Sequence, residues 1–251
     1  MNYAILLSGG VGSRSGNDIP KQYVRAGKYM MITYCLITLL KNRYIDKIYI
    51  VCDEKWYGSV LEEIKGGGND ISKISGNVAP GKTRQLSVLN GLEKIMDDIK
   101  ETPLFKTEVK SDIVNNNNLL KEETVLIQDA ARPYTTDELI KRCYEMLKDH
   151  DGVMPALPMK DTVYMSENGN DITGLLERAY VYAGQAPELF RLKNYYEANK
   201  NLLPDKILKI NGASEPAVIY GSDIIMINGD DDNVKVTNEA DLRKFIQKFE
   251  T

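Results

Sequence analysis

The chain has 251 residues, of which 43% are hydrophobic, and its formal net charge is −4. This length can bury the core of one large α/β domain. An acidic chain without clusters of basic residues is not expected to bind nucleic acid. Because no apolar run in the sequence is long enough to cross a bilayer, we expect no membrane partner either.

The three cysteines, Cys35, Cys52 and Cys143, lie far apart inside apolar segments. Their spacing fits neither a disulfide framework nor a metal-ligand cluster, so we predict buried thiols. The apolar run at residues 4–7 is directly followed by glycines and is too short for a signal peptide. These features favour a cytoplasmic protein.

Apolar runs and helical periodicities alternate along most of the chain. They predict strands over residues 3–7, 44–52, 71–75, 124–128, 152–157 and 224–228. They predict helices over residues 30–41, 56–65, 86–99, 137–148, 189–200 and 238–249. Strands that alternate with helices form right-handed parallel units. We therefore expect a single α/β domain over residues 1–251, with a Rossmann-like, mostly parallel sheet flanked by helices.

Two segments interrupt this alternation. Residues 100–123 are polar and include four consecutive asparagines, which predicts a surface insertion without a chemical role. Residues 159–183 contain short strand-like runs on either side of Glu167-Asn168-Gly169-Asn170, which predicts a hairpin arm. An arm of this kind often contacts a partner subunit.

The first predicted strand leads into a loop with the composition of a phosphate-binding loop. Glycines let the backbone approach a ligand and turn N–H groups toward an anion, and neighbouring cations add mobile positive charge. The residues concerned are Ser8, Gly9, Gly10, Gly12, Arg14 and Lys21. The alternative is an ordinary glycine-rich turn with two solvated cations.

Two other nucleotide-binding patterns compete with this interpretation. A dinucleotide fingerprint is disfavoured because Ser15 stands where the third glycine should be. Residues 76–83, GNVAPGKT, match the P-loop pattern, and the run that ends at Asp129 could supply its Mg²⁺ ligand. Against a P-loop NTPase or kinase, the preceding strand is weak and Pro80 occupies a position where backbone donors should face phosphate.

A third interpretation uses four loops, at residues 8–21, 81–87, 129–132 and 233–237. Each follows a predicted strand, and open α/β sheets bind ligands in the crevice at such strand ends. Convergence of these loops would form a polyanion site with two candidate Mg²⁺ carboxylates. Its charged residues would be Arg14, Lys21, Lys235, Asp129 and Asp232.

Seven motifs in this order resemble the cytidylyltransferases that activate polyol phosphates, whose known members act on 2-C-methyl-D-erythritol 4-phosphate or D-ribitol 5-phosphate. The motifs are L-S-G-G-V-G-S-R-(x5)-P-K-Q-Y, P-G-K-T-R-(x2)-S-V, D-A-A-R-P, K-D-T, E-R, Q-A-P and D-N-V-K-V-T. The resemblance covers nearly the whole chain and implies a nucleotidyltransferase-type fold, CTP and a polyol phosphate as substrates, Mg²⁺ as cofactor and a homodimer formed through the arm.

The resemblance also implies roles for individual residues. Those that would hold the cytosine and ribose are Ser8, Gly9, Gly10, Gly12, Gly81 and Ser87. Those that would surround the triphosphate are Arg14, Lys21 and Lys235. Asp129, with Asp232, would place Mg²⁺, and Asp129 would also orient the acceptor. The acceptor phosphate would be gripped by Arg132, Thr162 and Arg178, the last from the partner's arm.

The chain departs from the family pattern at two places that bear on the acceptor. Ala186 stands where many relatives have threonine, and residues 211–215 do not match the expected acidic segment. Gln185 before Ala-Pro favours the ribitol-phosphate branch. Two alternatives stay open: a sugar-phosphate nucleotidyltransferase that uses another NTP, and a nucleotide-binding relative without catalytic activity. Retention of Arg14, Lys21 and Asp129 argues against the second.

Overall fold

The computed structural model describes residues 1–10, 19–103, 120 and 122–250. The strands are β1 Asn2–Leu7, β2 Arg25–Ala26, β3 Tyr29–Met30, β4 Lys47–Val51, β5 Ile74–Val78, β6 Thr124–Asp129, β7 Gly152–Pro158, β8 Val163–Met165, β9 Gly174–Leu176, β10 Tyr182–Gly184, β11 Glu188–Arg191 and β12 Ile224–Asn228. The α-helices are α1 Met31–Lys41, α2 Glu54–Gly66, α3 Arg84–Lys100, α4 Asp137–Met146, α5 Leu192–Lys200, α6 Glu215–Tyr220 and α7 Glu239–Glu250. Short 3₁₀ turns are Lys21–Tyr23, Arg178–Tyr180 and Lys206–Lys209.

The main sheet has the strand order β10-β7-β11-β6-β1-β4-β5, and β12 pairs with β7. Strand β1 lies at its centre, parallel to β4 on one side and to β6 on the other. In this register the last residue of β1, Leu7, stands beside Val51 and Asp129. The loops that leave these three strands therefore begin side by side at one edge of the sheet. This is the mostly parallel sheet that the sequence predicted.

Helices cover both faces of this sheet because successive side chains of a strand point to opposite faces. On one face, Leu6 packs in a core shared with α1, α2 and α4. On the other face, Ile5 packs in a core shared with α3 and α5. Both side chains are fully buried. Continuous apolar runs of this kind are typical of parallel strands that are buried on both faces.

The predicted start of one helix is wrong. The sequence predicted a helix over 189–200, but Glu188–Arg191 forms β11 and the helix begins only at Leu192. Strand β11 is inserted antiparallel between β6 and β7. Its Leu-Phe pair is too short to show strand periodicity, so only pairing with two neighbouring strands determines its conformation. The predicted strand at 71–75 is likewise shifted, to Ile74–Val78.

The segment 159–183 contains an antiparallel pair, β8 with β9, that forms its own two-stranded sheet. Its tip turns at Gly169, whose φ of 78° favours glycine. Of the predicted insertion over 100–123, residues 104–119 and 121 lie outside the described residues. Among the helices that the structure describes, none is long and apolar enough to cross a membrane.

Candidate active site

The loops at the carboxyl ends of β1, β5 and β6 surround a cavity of about 500 Å³, to which the segment after β12 also contributes. Its lining residues are Leu7, Ser8, Gly9, Gly10, Lys21, Gln22, Pro80, Gly81, Lys82, Thr83, Arg84, Ser87, Asp129, Ala131 and Lys235. The described parts of all four loops singled out in the sequence thus meet at one place. We refer to this cavity as the crevice.

The first loop is fixed by hydrogen bonds from the turn that follows it. The Gln22 side-chain amide donates to the carbonyl oxygens of Ser8 and Gly10, at 2.6 Å each. The Tyr23 hydroxyl also donates to the Ser8 carbonyl, at 3.0 Å. These bonds hold the described beginning of the loop, residues 8–10, from one side. Gln22 and Tyr23 therefore hold the glycine backbone in place, a function that the sequence did not reveal.

Two glycines make the close approach of neighbouring loops possible. A Cβ atom at Gly9 would lie 2.3 Å from Cβ of Pro80, and one at Gly81 would lie 2.5 Å from Cβ of Leu86. No real side chain tolerates contacts this short. The Gly81 N–H donates to Ser87 Oγ at 2.9 Å, which attaches the second loop to the first turn of α3. Glycine is thus required at both positions by space rather than by backbone angle.

Asp129 is the acidic residue among the described residues that line the crevice, and its side chain is bound by two cations. Lys235 Nζ lies 2.7 Å from Oδ2, and Arg84 donates to Oδ1 from Nη2 at 2.9 Å and from Nε at 3.2 Å. Burial alone would raise the pKa of Asp129, but the charges of Arg84 and Lys235 outweigh it and hold the pKa well below its usual range. Asp129 is therefore ionised at any physiological pH.

Lys21 and Lys235 bring positive charge to the crevice from opposite ends of the chain. Lys21 lies in the 3₁₀ turn after the first loop, and its Nζ donates to the carbonyl of Thr237 at 3.4 Å. Both lysines are partly exposed and both line the crevice. A lysine on a flexible stem can move toward a bound anion. The site thus combines one fixed carboxylate with two mobile cations.

Arg132 does not line the crevice. Its side chain is buried, and Nη1 donates to the carbonyl of Asn233. The Asn233 side chain in turn donates to the carbonyl of Ala186 at 2.7 Å and accepts a hydrogen bond from Thr135 at 3.1 Å. Arg132 therefore joins the loop after β6 to the loop after β12, and through that loop it fixes the backbone that carries Lys235.

Several residues predicted for the site lie elsewhere or outside the described residues. Asp232 is exposed and lines a different cavity, beside Tyr134 and Phe249, so the structure does not bring it together with Asp129. Thr162 and Arg178 are exposed on the arm, where Arg178 donates to the carbonyl of Lys160 at 3.1 Å. Gly12 and Arg14 lie outside the described residues, so their predicted roles stay predictions.

The P-loop alternative finds no support in the geometry. Gly76 and Asn77, the first two residues of GNVAPGKT, are part of strand β5. A phosphate loop would need the strand to end before its first glycine. The segment that leaves β5 is therefore only residues 79–83, and Pro80 packs against Gly9. Lys82 is exposed at the rim of the crevice.

Two charged residues that the site analysis of the sequence missed lie next to Asp129. Arg84 was visible as the arginine of P-G-K-T-R, but no role was assigned to it. Glu188 gave no signal, because it lies between the Q-A-P motif and the helix predicted over 189–200, and strand β11 was not predicted. Its Oε1 lies 4.0 Å from Arg84 Nη2, and the side chain is buried. Only the antiparallel pairing of β11 with β6 brings Glu188 to this place.

A glycine-walled, cationic crevice at the strand ends of a mostly parallel sheet is typical of proteins that bind nucleotides or other phosphorylated ligands. The family model described as IspD: 2-C-methyl-D-erythritol 4-phosphate cytidylyltransferase matches residues 3–104 and 108–246. The chain belongs to the IspD family, and the relatives described next are named as cytidylyltransferases, a type of nucleotidyltransferase.

Individual relatives carry two different substrate names. A 2-C-methyl-D-erythritol 4-phosphate cytidylyltransferase of Clostridium beijerinckii is 31% identical over 95% of this chain and 94% of its own. A ribitol-5-phosphate cytidylyltransferase of Vibrio parahaemolyticus is 27% identical over 96% of this chain and 92% of its own. The chain spans 55% of the bifunctional IspD/IspF enzyme of Maricaulis maris, to which it is 29% identical.

The fold is shared with solved structures. The 4-diphosphocytidyl-2C-methyl-D-erythritol synthase of Anaerococcus prevotii superposes with a TM-score of 0.75 at 21% identity, over 100% of this chain and 96% of that one. The 2-C-methyl-D-erythritol 4-phosphate cytidylyltransferase of Francisella tularensis gives 0.74 at 22% identity, over 98% and 99%.

Proposed function

We propose that this protein transfers a cytidylyl group from CTP to a polyol phosphate, releasing pyrophosphate and forming a CDP-polyol. The observation that carries the proposal is the crevice, in which two glycine-walled loops, Lys21, Lys235 and ionised Asp129 meet. Such a site offers backbone donors and mobile cations to a triphosphate and one carboxylate to a metal ion. The family membership supports the same reaction.

The two loops would share the nucleotide between them. The backbone of Ser8, Gly9 and Gly10 lines the crevice with Gly81 and Ser87, and there we place the ribose and cytosine. Gly12, by resemblance, would take part in the same contact. Lys21, Lys235 and Arg14 would surround the triphosphate. On this assignment Lys235, which pairs with Asp129 at 2.7 Å, would exchange that partner for the phosphates when CTP binds.

The reaction needs no general base. An oxygen of the acceptor's phosphate attacks the α-phosphorus of CTP, and the bond from that phosphorus to the bridging oxygen of the β-phosphate breaks. The second pKa of a phosphate monoester is about 6, so the nucleophile is largely dianionic at neutral pH. Catalysis then depends on in-line positioning and on cations near the α-phosphate. Removal of one such contact typically lowers the rate roughly 10²- to 10³-fold.

The residues of the crevice fit Mg²⁺. This ion is commonly held by one or two carboxylates together with substrate phosphates and water. Asp129 supplies one carboxylate that its neighbours keep ionised, and Oδ2 becomes available when Lys235 turns toward the triphosphate. When bound, Mg²⁺ would neutralise charge on the phosphates. Because Asp232 lies in another cavity, we place the ion on Asp129 alone among the carboxylates of the described residues.

For the acceptor we propose D-ribitol 5-phosphate or 2-C-methyl-D-erythritol 4-phosphate. Gln185, which favours the ribitol branch by resemblance, exchanges two hydrogen bonds of 2.9 Å with the backbone of Asp230. Thr162 and Arg178 are not among the residues that line the crevice of their own chain, and we place them at a partner's site in a homodimer. The buried free cysteines agree with a reducing cytoplasm.

Pyrophosphate release tests this function directly. Purified protein with Mg²⁺ is assayed with CTP, UTP, ATP and GTP against each of the two polyol phosphates. We expect release with CTP and with one acceptor only. Lys21→Ala should lower kcat roughly 10²- to 10³-fold because it removes a cation from the triphosphate.

Lys82→Ala is the matched control, since Lys82 lies at the rim of the same cavity and carries the same charge. It should retain most of the activity. ATP hydrolysis without an acceptor that is lost in Lys82→Ala would contradict the proposal and restore the P-loop interpretation. Release with UTP rather than CTP would contradict the use of CTP and favour the alternative of a nucleotidyltransferase that uses another NTP.

A further inference from the structure

Glu188 is a buried carboxylate to which the mechanism above assigns no role. It begins strand β11, and its side chain lies behind the crevice rather than in it. Arg84 Nη2 stands between Glu188 Oε1, at 4.0 Å, and Asp129 Oδ1, at 2.9 Å. One guanidinium thus bridges two carboxylates, of which only Asp129 lines the crevice.

The bridge is incompletely satisfied. Among the described residues, neither Glu188 Oε2 nor Arg84 Nη1 has a hydrogen-bond partner, although both atoms are buried. The charged groups that act most strongly on Glu188 are Arg84 on α3 and Asp129 on β6, and the polar Ser214 before α6 also lies near it. Arg132, Tyr195 and Cys143 are its further titratable neighbours.

A second buried carboxylate lowers the stability of the fold. Burial raises the pKa of Glu188 above its usual range, although Arg84 opposes this effect. A raised pKa means that the ionised carboxylate is less stable in the folded protein than in the unfolded chain, so ionised Glu188 lowers the stability of the fold. The stability of the fold therefore does not explain why residue 188 is a glutamate. The contact of Glu188 with Arg84 offers an explanation.

We propose that Glu188 is a positioning residue that holds Arg84 in place so that Asp129 keeps its orientation when Lys235 leaves it for the triphosphate. In the ligand-free protein Asp129 is held from both sides. Once Lys235 turns away, Arg84 is the remaining cation in contact with Asp129. Without Glu188, the Arg84 side chain could move together with the Asp129 carboxylate. The inference rests on the proposed function, because it assumes that Asp129 serves the bound nucleotide.

The test compares Glu188→Gln with the wild type and with Glu93→Gln, a control that removes a carboxylate from an exposed pair with Lys200. We expect Glu188→Gln to lower kcat about 10- to 100-fold, the range found when the outer partner of a metal-ligating group is lost. KM for CTP should change less than about twofold, since the glycine loops that hold the base are untouched. Glu93→Gln should behave as the wild type.

Thermal unfolding without ligands gives the second measurement. A carboxyl whose pKa is raised by folding lowers stability as pH rises from its unfolded pKa through its folded one. Glutamine lacks this penalty, so Tm of Glu188→Gln should equal or exceed that of the wild type, and the difference should grow as pH rises above the unfolded pKa of glutamate, about 4.3.

Parallel losses of Tm and kcat would show a merely structural role, and unchanged kcat would show no role, so either result overturns the inference. If the wild-type protein itself releases no pyrophosphate from any nucleotide, the proposed function fails and the inference falls with it. An active wild type with an equally active Glu188→Gln overturns the inference alone.

Discussion

At the scale of single residues, the site is organised around one carboxylate. Asp129 is ionised because Arg84 and Lys235 stabilise its charge more than burial destabilises it. Neither cation is near Asp129 in the sequence, so the lowered pKa is a product of the fold. Because the two cations approach different oxygens, the carboxylate plane is also fixed. Arg84 and Lys235 therefore determine both the charge and the orientation of the Asp129 carboxylate.

This arrangement predicts a pH-dependent effect of Asp129→Asn on stability. At pH 7 the variant leaves Lys235 without its counter-charge and Arg84 with only Glu188, at 4.0 Å. Because both cations are partly exposed, we expect a cost below the ~3–5 kcal/mol of breaking a fully buried pair. A carboxyl with a lowered folded pKa contributes stability above its unfolded pKa of about 4, and this contribution is lost as pH falls toward the folded pKa. Urea unfolding at pH 7 and at pH 3 should show a difference between the two proteins that shrinks in acid. A constant difference would mean that the interaction with the cations is not electrostatic.

At the scale of elements, the crevice depends on the close packing of two loops. The loop after β1 and the loop after β5 touch where Gly9 meets Pro80, and the hydrogen bond from Gly81 to Ser87 anchors the second loop to α3. Strands β1 and β5 are separated in the sheet by β4. The loops therefore reach across the end of β4 to form the walls of the cavity.

Gly9→Ala should separate these loops. Its Cβ would lie 2.3 Å from that of Pro80, and overpacking of this kind costs about 1–3 kcal/mol. If this free energy is lost from the binding of CTP, KM for CTP rises roughly 5- to 150-fold. Gly58→Ala in helix α2 is the control, because nothing lies within 4 Å of its Cβ and alanine favours the helix. An unchanged KM in Gly9→Ala would show that the contact does not shape the site.

At the scale of the whole molecule, the arm stands apart from the core with apolar side chains at its surface. Ile172, Leu175 and Tyr180 are 68%, 63% and 83% exposed. Apolar groups clustered on a protruding segment mark an interaction surface. Since Arg178 lies on the same arm, association through this surface would also bring Arg178 to a partner.

We therefore predict that the protein elutes as a dimer in size-exclusion chromatography with light scattering. Charges at Ile172 and Leu175, introduced as Ile172→Asp and Leu175→Asp, should give a monomer of about 28 kDa. This monomer should also lose activity, because its acceptor site would lack the partner's Arg178. Leu208→Asp, at an exposed position in the 3₁₀ turn Lys206–Lys209, should leave the dimer intact. A fully active monomer would show that each site is complete within one chain.

Much of this protein could be predicted from its sequence, because the signals concerned are local. The buried parallel strands follow from apolar runs such as residues 3–7 and 124–128, and the glycine-rich loop follows from the residues after β1. The ends of parallel strands meet at one edge of a sheet, so the meeting of Lys21, Asp129 and Lys235 could be expected from strand order alone. The seven motifs, which occur in the same order as in the cytidylyltransferases, also indicated the family.

What only the tertiary structure decided depends on contacts between distant segments. Strand β11 is a strand because β6 and β7 pair with it on both sides, whereas its own sequence suits a helix equally well. That pairing places Glu188 behind Arg84 and so creates the two-carboxylate bridge. Asp232 was grouped with Asp129 because both follow strands, but the loop after β12 turns it toward Tyr134 and Phe249 instead. Local pattern fixes which residues reach an edge of the sheet, while packing between loops decides which of them face the same cavity.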